Sequence, residues 1–155
     1  MIRGSYLRGL CLILAIIIWV VPVRAAAQAG STERWSLIGF TKYRDAVYYD
    51  KQVIKSAARG RVKTWIMIAP SERSQFGREA RRELRKHRGS VKGFRHTEIE
   101  SEMNCERNKI RFLQNRYFNE DGRIMYAQPY AEKKWRNVQP GSLWDKLRKA
   151  VCGRP

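Results

Sequence analysis

The chain has 155 residues, with 32 lysines and arginines against 14 aspartates and glutamates, so its formal net charge at neutral pH is +18. Domains cluster at about 100 to 150 residues, so this length suits one domain with a modest core, and no second domain is needed. The positive charge favours anionic partners, because clustered Lys and Arg concentrate negatively charged molecules.

The first 29 residues have the three parts of a secretory signal peptide. Arg3 and Arg8 precede an apolar run over residues 10–23, and small residues follow as far as Ala29. The run has 14 residues, fewer than the roughly 20 that a helix needs to cross a bilayer. Cleavage after Ala29 is therefore favoured over an uncleaved anchor, and residues 30–155 are expected to form the single mature domain.

Removal of residues 1–29 takes away three arginines and no acid, which lowers the formal charge to +15. A lipid anchor is not expected, because Cys11 opens the apolar run instead of following it. The protein is therefore predicted to be exported across the inner membrane, either to the periplasm or as a secreted or cell-surface protein.

Two of the three cysteines, Cys105 and Cys152, belong to the mature domain. Export delivers them to a compartment that permits disulfides, and an even pair in such a compartment predicts one bridge. Two free buried thiols are the less favoured alternative.

Six segments have the character of β-strands, being short, rich in aromatic and β-branched residues, and bounded by polar or turn-forming residues. They are residues 35–40, 46–49, 62–68, 98–105, 110–118 and 124–127. Asp121-Gly122, between the last two segments, is a strong hairpin signal. Because short connections join the segments and few helices alternate with them, an antiparallel sheet is predicted.

Within residues 98–105, apolar or small side chains alternate with charged or polar ones, which a strand places on opposite faces. The alternation predicts that the core side holds Ile99, Met103 and Cys105. It predicts that the water-facing side holds Glu98, Glu100 and Glu102. These glutamates would be nearly 7 Å apart along the strand, too far to share a cation, so no metal site is expected.

The C-terminal segment has the pattern of an amphipathic helix. Ser142 and Asp145 have the spacing of a capping box. The apolar residues that follow fall within one arc, and they are Leu143, Trp144, Leu147, Ala150 and Val151. Cys152 lies beside this arc, so a bond to Cys105 would tether the helix to the sheet. The predicted fold class is α+β, a roughly six-stranded antiparallel sheet with a disulfide-tethered C-terminal helix.

Residues 71–95 form a basic insertion with nine Lys or Arg and three Glu. Phe76, Ala80 and Leu84 share helical spacing and favour a short helix, whereas Gly77 counts against it, and a mobile loop is the alternative. The candidate basic contact surface of this segment consists of Arg78, Arg81, Arg82, Arg85, Lys86 and Arg88.

A series of short motifs runs through the mature chain: Trp35 to Gly39, Tyr48-Tyr49-Asp50 with Ile54, Val62 to Trp65, the Cys105 strand, Tyr117 to Gly122, Trp135, Pro140-Gly141-Ser142 and Val151-Cys152. In order and spacing this series resembles the domain family named for the bacterial surface adhesin called protein E. The resemblance covers about residues 33–152.

The resemblance implies an antiparallel sheet with a C-terminal helix tethered by a disulfide. In the named member it implies a homodimer at the cell surface that binds host extracellular-matrix and plasma proteins. That adhesin is lipid-anchored, whereas this chain shows no lipidation site, and the basic insertion is not part of the shared pattern. No ligand-binding residue of the adhesin matches a position here, so none is carried over.

The sequence contains no motif of a phosphate-binding loop, a zinc protease, a serine hydrolase or a Cys-x-x-Cys redox site. Of the two histidines, His87 is expected to be a solvated bystander in the basic segment, and His96 to face outward with the glutamates. No enzyme activity, cofactor or catalytic residue is predicted.

The favoured function is a non-enzymatic, exported envelope binding module of the protein E type. Its partners would be proteins or polyanionic ligands of the envelope or matrix, bound through the basic surface, with nucleic acid less favoured and homodimerisation left open. The alternative is a periplasmic structural or accessory protein that binds another envelope protein. A small basic nuclease is the least favoured class, because the sequence shows neither a metal site nor a paired base.

Overall fold

The computed structural model describes residues 34–52, 55–58, 60–71, 73–130 and 133–153. The predicted signal peptide and Ile54 lie outside the described residues. The strands are β1 Trp35–Phe40, β2 Ala46–Asp50, β3 Lys55–Ala58, β4 Arg61–Ala69, β5 Phe94–Asn104, β6 Lys109–Asn119, β7 Ile124–Pro129 and β8 Arg136–Asn137. The helices are α1, Gln75–Arg88, and α2, Leu143–Cys152. No helix among these residues is long and apolar enough to cross a membrane.

The strands form one antiparallel sheet with the order β1-β2-β4-β5-β6-β7, which confirms the predicted six strands and the α+β class. Strand β3 pairs with the first residues of β4, and β8 pairs with the first residues of β6. These two strands have only 4 and 2 residues, so they carry too little alternation to be recognised in the sequence.

Both helices cover the same face of the sheet. Helix α2 packs Leu147 and Val151 on a core that includes Ile66 and Ile99. Helix α1 packs on a second cluster at the β6–β7 side of the sheet, around Tyr117. The face that carries the central apolar residues is therefore covered along much of its width.

A bulge in β6 makes this shared face continuous. Ile99 pairs with Asn115, whereas Ser101 pairs with Phe112, so β6 accommodates one extra residue between these pairs. Because the bulge resets the alternation of β6, Phe112 and Tyr117 point to the same face although they are five positions apart. Without it, either α1 or α2 would lose an apolar surface to pack on.

A disulfide joins Cys105 to Cys152, with 5.6 Å between their Cα atoms, as the sequence predicts. Cys105 lies in the turn directly after β5 and packs, half-buried, against the main core. Its backbone N–H donates to the carbonyl of Gly60 at 2.8 Å. The bond therefore links the last residue of α2 to the end of the central β4–β5 pair.

The capping of α2 differs in one detail from the predicted box. The Ser142 hydroxyl accepts the Asp145 N–H at 3.2 Å, as expected, but the Asp145 carboxylate accepts from the N–H of Gly141 at 3.1 Å and not from that of Ser142. Asp145 also pairs with Arg148 at 3.0 Å and Lys149 at 3.2 Å. The hydrogen bond from Gly141, followed by these cations, lowers the pKa of Asp145 to about 2.

The basic insertion contains a helix, α1, and not a mobile loop. Ser74 caps its start by accepting the Gly77 N–H at 2.9 Å, and Gly89 ends it in the left-handed conformation with φ 68°. Gly77 is tolerated for a packing reason, because a Cβ there would lie 2.9 Å from the Cβ of Pro70. The glycine thus lets α1 approach the end of β4.

The expected faces of β5 are confirmed, but the expected exposure of Glu98 and Glu102 is wrong. Ile99 and Met103 lie in the core, and the glutamates point to the opposite, helix-free face. There, Glu98 is 7% and Glu102 only 2% exposed, while Glu100 is half-buried. Contacts with neighbouring side chains account for this shielding, from His96 at Glu98 and from Arg61 and Arg111 at Glu102.

The negative charge of Glu102 is compensated by neighbouring arginines. Its carboxylate accepts from Arg111 Nε at 2.6 Å and lies 4.0 Å from an Arg61 nitrogen. The Trp135 ring packs over both guanidinium groups, with centroid distances of 4.6 Å to Arg111 and 5.6 Å to Arg61. A nearly buried carboxylate is stable here because its charge is paired.

Replacement of both Cys105 and Cys152 by Ser is expected to lower the free energy of unfolding by about 4 kcal/mol, because the bond closes a separation of 47 residues in the unfolded chain. Urea unfolding of the native and double-variant proteins measures the difference. The packing of α2 should survive, so circular dichroism in the absence of urea should be unchanged. A loss below about 0.5 kcal/mol would contradict the tether's role.

The lowered pKa of Asp145 predicts a stabilising contribution with a defined pH dependence. A carboxyl group whose pKa is depressed in the folded state stabilises the fold above its unfolded pKa of about 3.9, and loses this effect as the pH falls towards about 2. Asp145→Asn should therefore lower the melting temperature at neutral pH, and the difference should shrink between about pH 4 and pH 2. A difference that persists at the acid limit would point to a cause other than charge.

Gly77→Ala is expected to lower the free energy of unfolding by about 1 kcal/mol, because crowding against Pro70 outweighs the helix propensity gained by alanine. Arg82→Ala, at an exposed position of the same helix, serves as the control and should change stability by less than about 0.5 kcal/mol. Stabilisation by Gly77→Ala would show that the close approach does not limit the packing.

Candidate functional site

Helix α1 gathers most of the predicted basic surface into one stripe. At 3.6 residues per turn, Arg78, Arg81, Arg82, Arg85 and Arg88 fall within roughly one third of the helix circumference. We call these five residues the arginine stripe; Lys86 lies just beyond its edge. From position 78 to position 88 the stripe is about 15 Å long, at 1.5 Å per residue.

Most of these cations make no ion pair within the part of the chain that the structure describes. Arg82, Arg85, Lys86 and Arg88 are exposed, and none of them pairs with a described carboxylate. Arg81 differs from these four residues because its guanidinium packs against an aromatic ring, 5.7 Å from the centroid of Phe94. The stripe therefore presents charge that no described acid neutralises.

The two described acids of α1 lie on its other flank. Glu79 accepts from the Gln75 amide at 2.9 Å, and Glu83 pairs with His87 at 2.8 Å. This flank faces Tyr117 and Tyr130, and burial raises the pKa of both phenols. The acids are thus separated from the arginine stripe, although acids and bases alternate in the sequence.

His87 is exposed, as the sequence predicts, but it also makes a packing contact that the sequence does not indicate. Its ring stacks on Tyr126, with 4.8 Å between centroids and 13° between planes. Next to it, Ala80 and Leu84 are buried against the same cluster. These contacts orient α1 on the sheet, so the arginine stripe faces outward.

His96 lies on the same face of the sheet as the glutamates, as expected, but its side chain is only 14% exposed. Its Nε2 lies 3.6 Å from Glu98 Oε1, and its ring stacks on Phe118 with 4.8 Å between centroids.

Two further cations near the start of α1 were not singled out from the sequence. Lys42 and Arg44 come from the turn between β1 and β2, and they line one recess together with Arg73. About 30 positions separate the turn from Arg73 in the chain, so no local charge run signals their proximity. Within this turn, Arg44 has a positive φ of 65°, which is uncommon for a residue other than glycine.

Among the described residues, no three side chains of His, Cys, Asp or Glu come together in a way that could hold a metal ion. The arginine stripe and the recess next to it each present several cations that pair with no carboxylate of the described residues.

Comparison with known proteins places this architecture in a family. The profile of the family described as surface-adhesin protein E matches residues 35–153. The structure is similar to that of Haemophilus influenzae protein E in its crystal form II, with a TM-score of 0.52 and 12% sequence identity, covering 76% of this chain and 87% of that chain. No curated protein sequence matches this chain significantly. The chain therefore belongs to the surface-adhesin protein E family.

Proposed function

We propose that this protein is a non-enzymatic, exported binding module that contacts polyanionic macromolecules of the envelope or matrix through the arginine stripe of α1. Membership of the surface-adhesin protein E family supports the binding role. The observation that carries the choice of surface is the separation of charge on α1, where five arginines share one face and both described acids lie on the other flank.

The chemistry of the stripe suits an extended anion. Arginine presents a planar fork of donors that matches sulfate, phosphate and carboxylate oxygens, and neighbouring positions on one helix face repeat at about 5 to 6 Å. A chain of regularly spaced anionic groups can therefore contact several guanidiniums at once. Because the stripe is exposed, its attraction should weaken as salt is added.

The signal peptide predicted at residues 1–29 supports export, and the family name supports a place at the surface, but neither distinguishes the periplasm from the cell exterior. Protease treatment of intact cells, followed by fractionation, separates the two. Degradation of the protein in intact cells would support surface display, and protection until the outer membrane is opened would support the periplasm.

An exposed edge favours the second candidate, a structural or accessory protein that binds another envelope protein. Strand β1 ends the strand order, and it carries Leu37 at 49% and Phe40 at 60% exposure. An edge strand with exposed apolar side chains can pair with a strand of another protein. Such an interface would persist at high salt, unlike binding through the arginine stripe.

The proposed function predicts that Arg82, Arg85 and Lys86 are needed for polyanion binding. Their combined change to Gln, which keeps helix propensity, should weaken binding to heparin at about 0.15 M salt by at least about tenfold. The salt dependence of the remaining binding should also be shallower, because fewer ions are exchanged. Titration calorimetry at several salt concentrations measures both effects.

The matched control changes Lys51, Arg107 and Lys146 to Gln, which removes the same charge from exposed positions outside α1. It should reduce affinity by less than about threefold. Equal losses in the two triple variants would show that only net charge matters. Pull-down of one stoichiometric protein at high salt, sensitive to changes in β1 and not in α1, would favour the second candidate.

A further inference from the structure

An open recess lies between the turn that joins β1 to β2 and the segment that leads into α1. Its volume is about 680 Å³, and its lining consists of Lys42, Tyr43, Arg44, Ser71 and Arg73. This volume is within the range of small-molecule sites. Three of the lining residues are cations, and none of them pairs with a carboxylate of the described residues. Glu72 lies outside the described residues. We call this feature the loop recess.

A buried acid holds the two sides of the loop recess together. Asp45 is 1% exposed, and its carboxylate accepts from the Ser71 N–H at 2.9 Å and from the Thr41 hydroxyl at 2.7 Å. The Ser71 hydroxyl donates in turn to the carbonyl of Tyr43 at 2.7 Å. The turn and the entry to α1 are therefore joined before any ligand binds, which limits the loss of conformational freedom on binding.

Tyr43 is also held in place. Its hydroxyl donates to Gln75 Oε1 at 3.1 Å, in the first turn of α1, and its ring remains 38% exposed. The Lys42 Nζ lies 4.9 Å from the centroid of this ring. The loop recess thus offers an oriented aromatic ring next to several cationic groups.

Arg44 adopts the left-handed conformation, with φ 65°, and its side chain is exposed. Glycine or asparagine is the ordinary residue at such a position, because a longer side chain is strained there. The left-handed residue closes the turn, since its N–H donates to the Thr41 carbonyl at 2.9 Å. What Arg44 adds to the loop recess is its exposed cationic side chain, which lines the recess with Lys42 and Arg73.

We propose that the loop recess binds a phosphate or sulfate ester carried on a sugar ring. The cations Lys42, Arg44 and Arg73 would contact the oxyanion by charge-assisted hydrogen bonds, and the Tyr43 ring would pack against the apolar side of the sugar. The two esters share the same tetrahedral oxygens, so the recess recognises either. This site goes beyond the arginine stripe, because it would hold a single ligand unit in the open recess beside the start of α1.

The loop recess is continuous with the stripe at one point. Arg78, the first residue of the stripe, donates from Nη1 to the carbonyl of Arg73 at 2.9 Å. A sulfated or phosphorylated polymer bound along α1 could therefore place one unit in the recess. The recess can nevertheless be tested alone with a monosaccharide, which is too short to span the stripe.

The test titrates the mature protein with N-acetylglucosamine 6-phosphate, N-acetylglucosamine 6-sulfate, neutral N-acetylglucosamine and inorganic phosphate, followed by NMR chemical shifts. Both esters should bind and shift the signals of residues 41–45 and 73, and the neutral sugar should not. Stronger binding of the phosphate ester would indicate an envelope source, and of the sulfate ester a matrix glycan. Inorganic phosphate should bind at least about threefold more weakly than the sugar phosphate.

Arg44→Gly separates function from folding. It should weaken binding of the ester by at least about tenfold, whereas the melting temperature should stay the same or rise because the strain at φ 65° is relieved. Arg73→Gln should weaken binding similarly. Arg107→Gln and the triple variant of Arg82, Arg85 and Lys86 should both leave it within about threefold.

Any one of the following results would overturn the proposal. They are the absence of ester binding up to about 20 mM, unchanged affinity in Arg44→Gly, and equal affinity for inorganic phosphate and the sugar phosphate, which would leave no role for Tyr43. Loss of monosaccharide binding in the α1 triple variant would also overturn it, since the stripe would then be the site.

Discussion

A disulfide bond and apolar packing together hold the C-terminal end of helix α2 to the sheet. The Cys105–Cys152 bond joins its last residue to the end of β5, while Leu147 and Val151 are buried on the central strands. A sheet needs a second layer over its apolar face, and a ten-residue helix alone is too short to be stable. The covalent link and the burial therefore stabilise each other, and the exposed basic elements depend on the framework that they create.

The net charge of the protein surface depends on which ionisable side chains the fold buries. Among the residues whose burial the structure describes, five acids are nearly buried, whereas each Lys and Arg keeps some exposure. The buried acids are Asp45, Asp50, Glu98, Glu102 and Asp145. Four of these carboxylates accept from a cation or from backbone and hydroxyl donors, and the Glu98 carboxylate lies 3.6 Å from the His96 ring. The surface is consequently more basic than the residue count suggests, which strengthens the case for an anionic partner.

The arginine stripe was partly predictable from the sequence. The basic run and the spacing of Phe76, Ala80 and Leu84 indicate a helix, and helix geometry alone groups the five arginines. The loop recess was not predictable in the same way, because Arg44 and Arg73 approach each other only when Asp45 bonds to Ser71. Contacts between distant segments leave no periodic signal in the chain.

The sequence by itself determined the six longer strands, the C-terminal helix, the cysteine pair and the phase of β5, because each depends on local alternation, helix capping or composition. Only the tertiary structure decided that Glu98 and Glu102 are buried, since their cover comes from neighbouring strands and from Trp135. It also decided that Gly77 is a point of close packing and that His87 stacks on the sheet. Alternation tells which face a side chain occupies, whereas exposure depends on what else reaches that face.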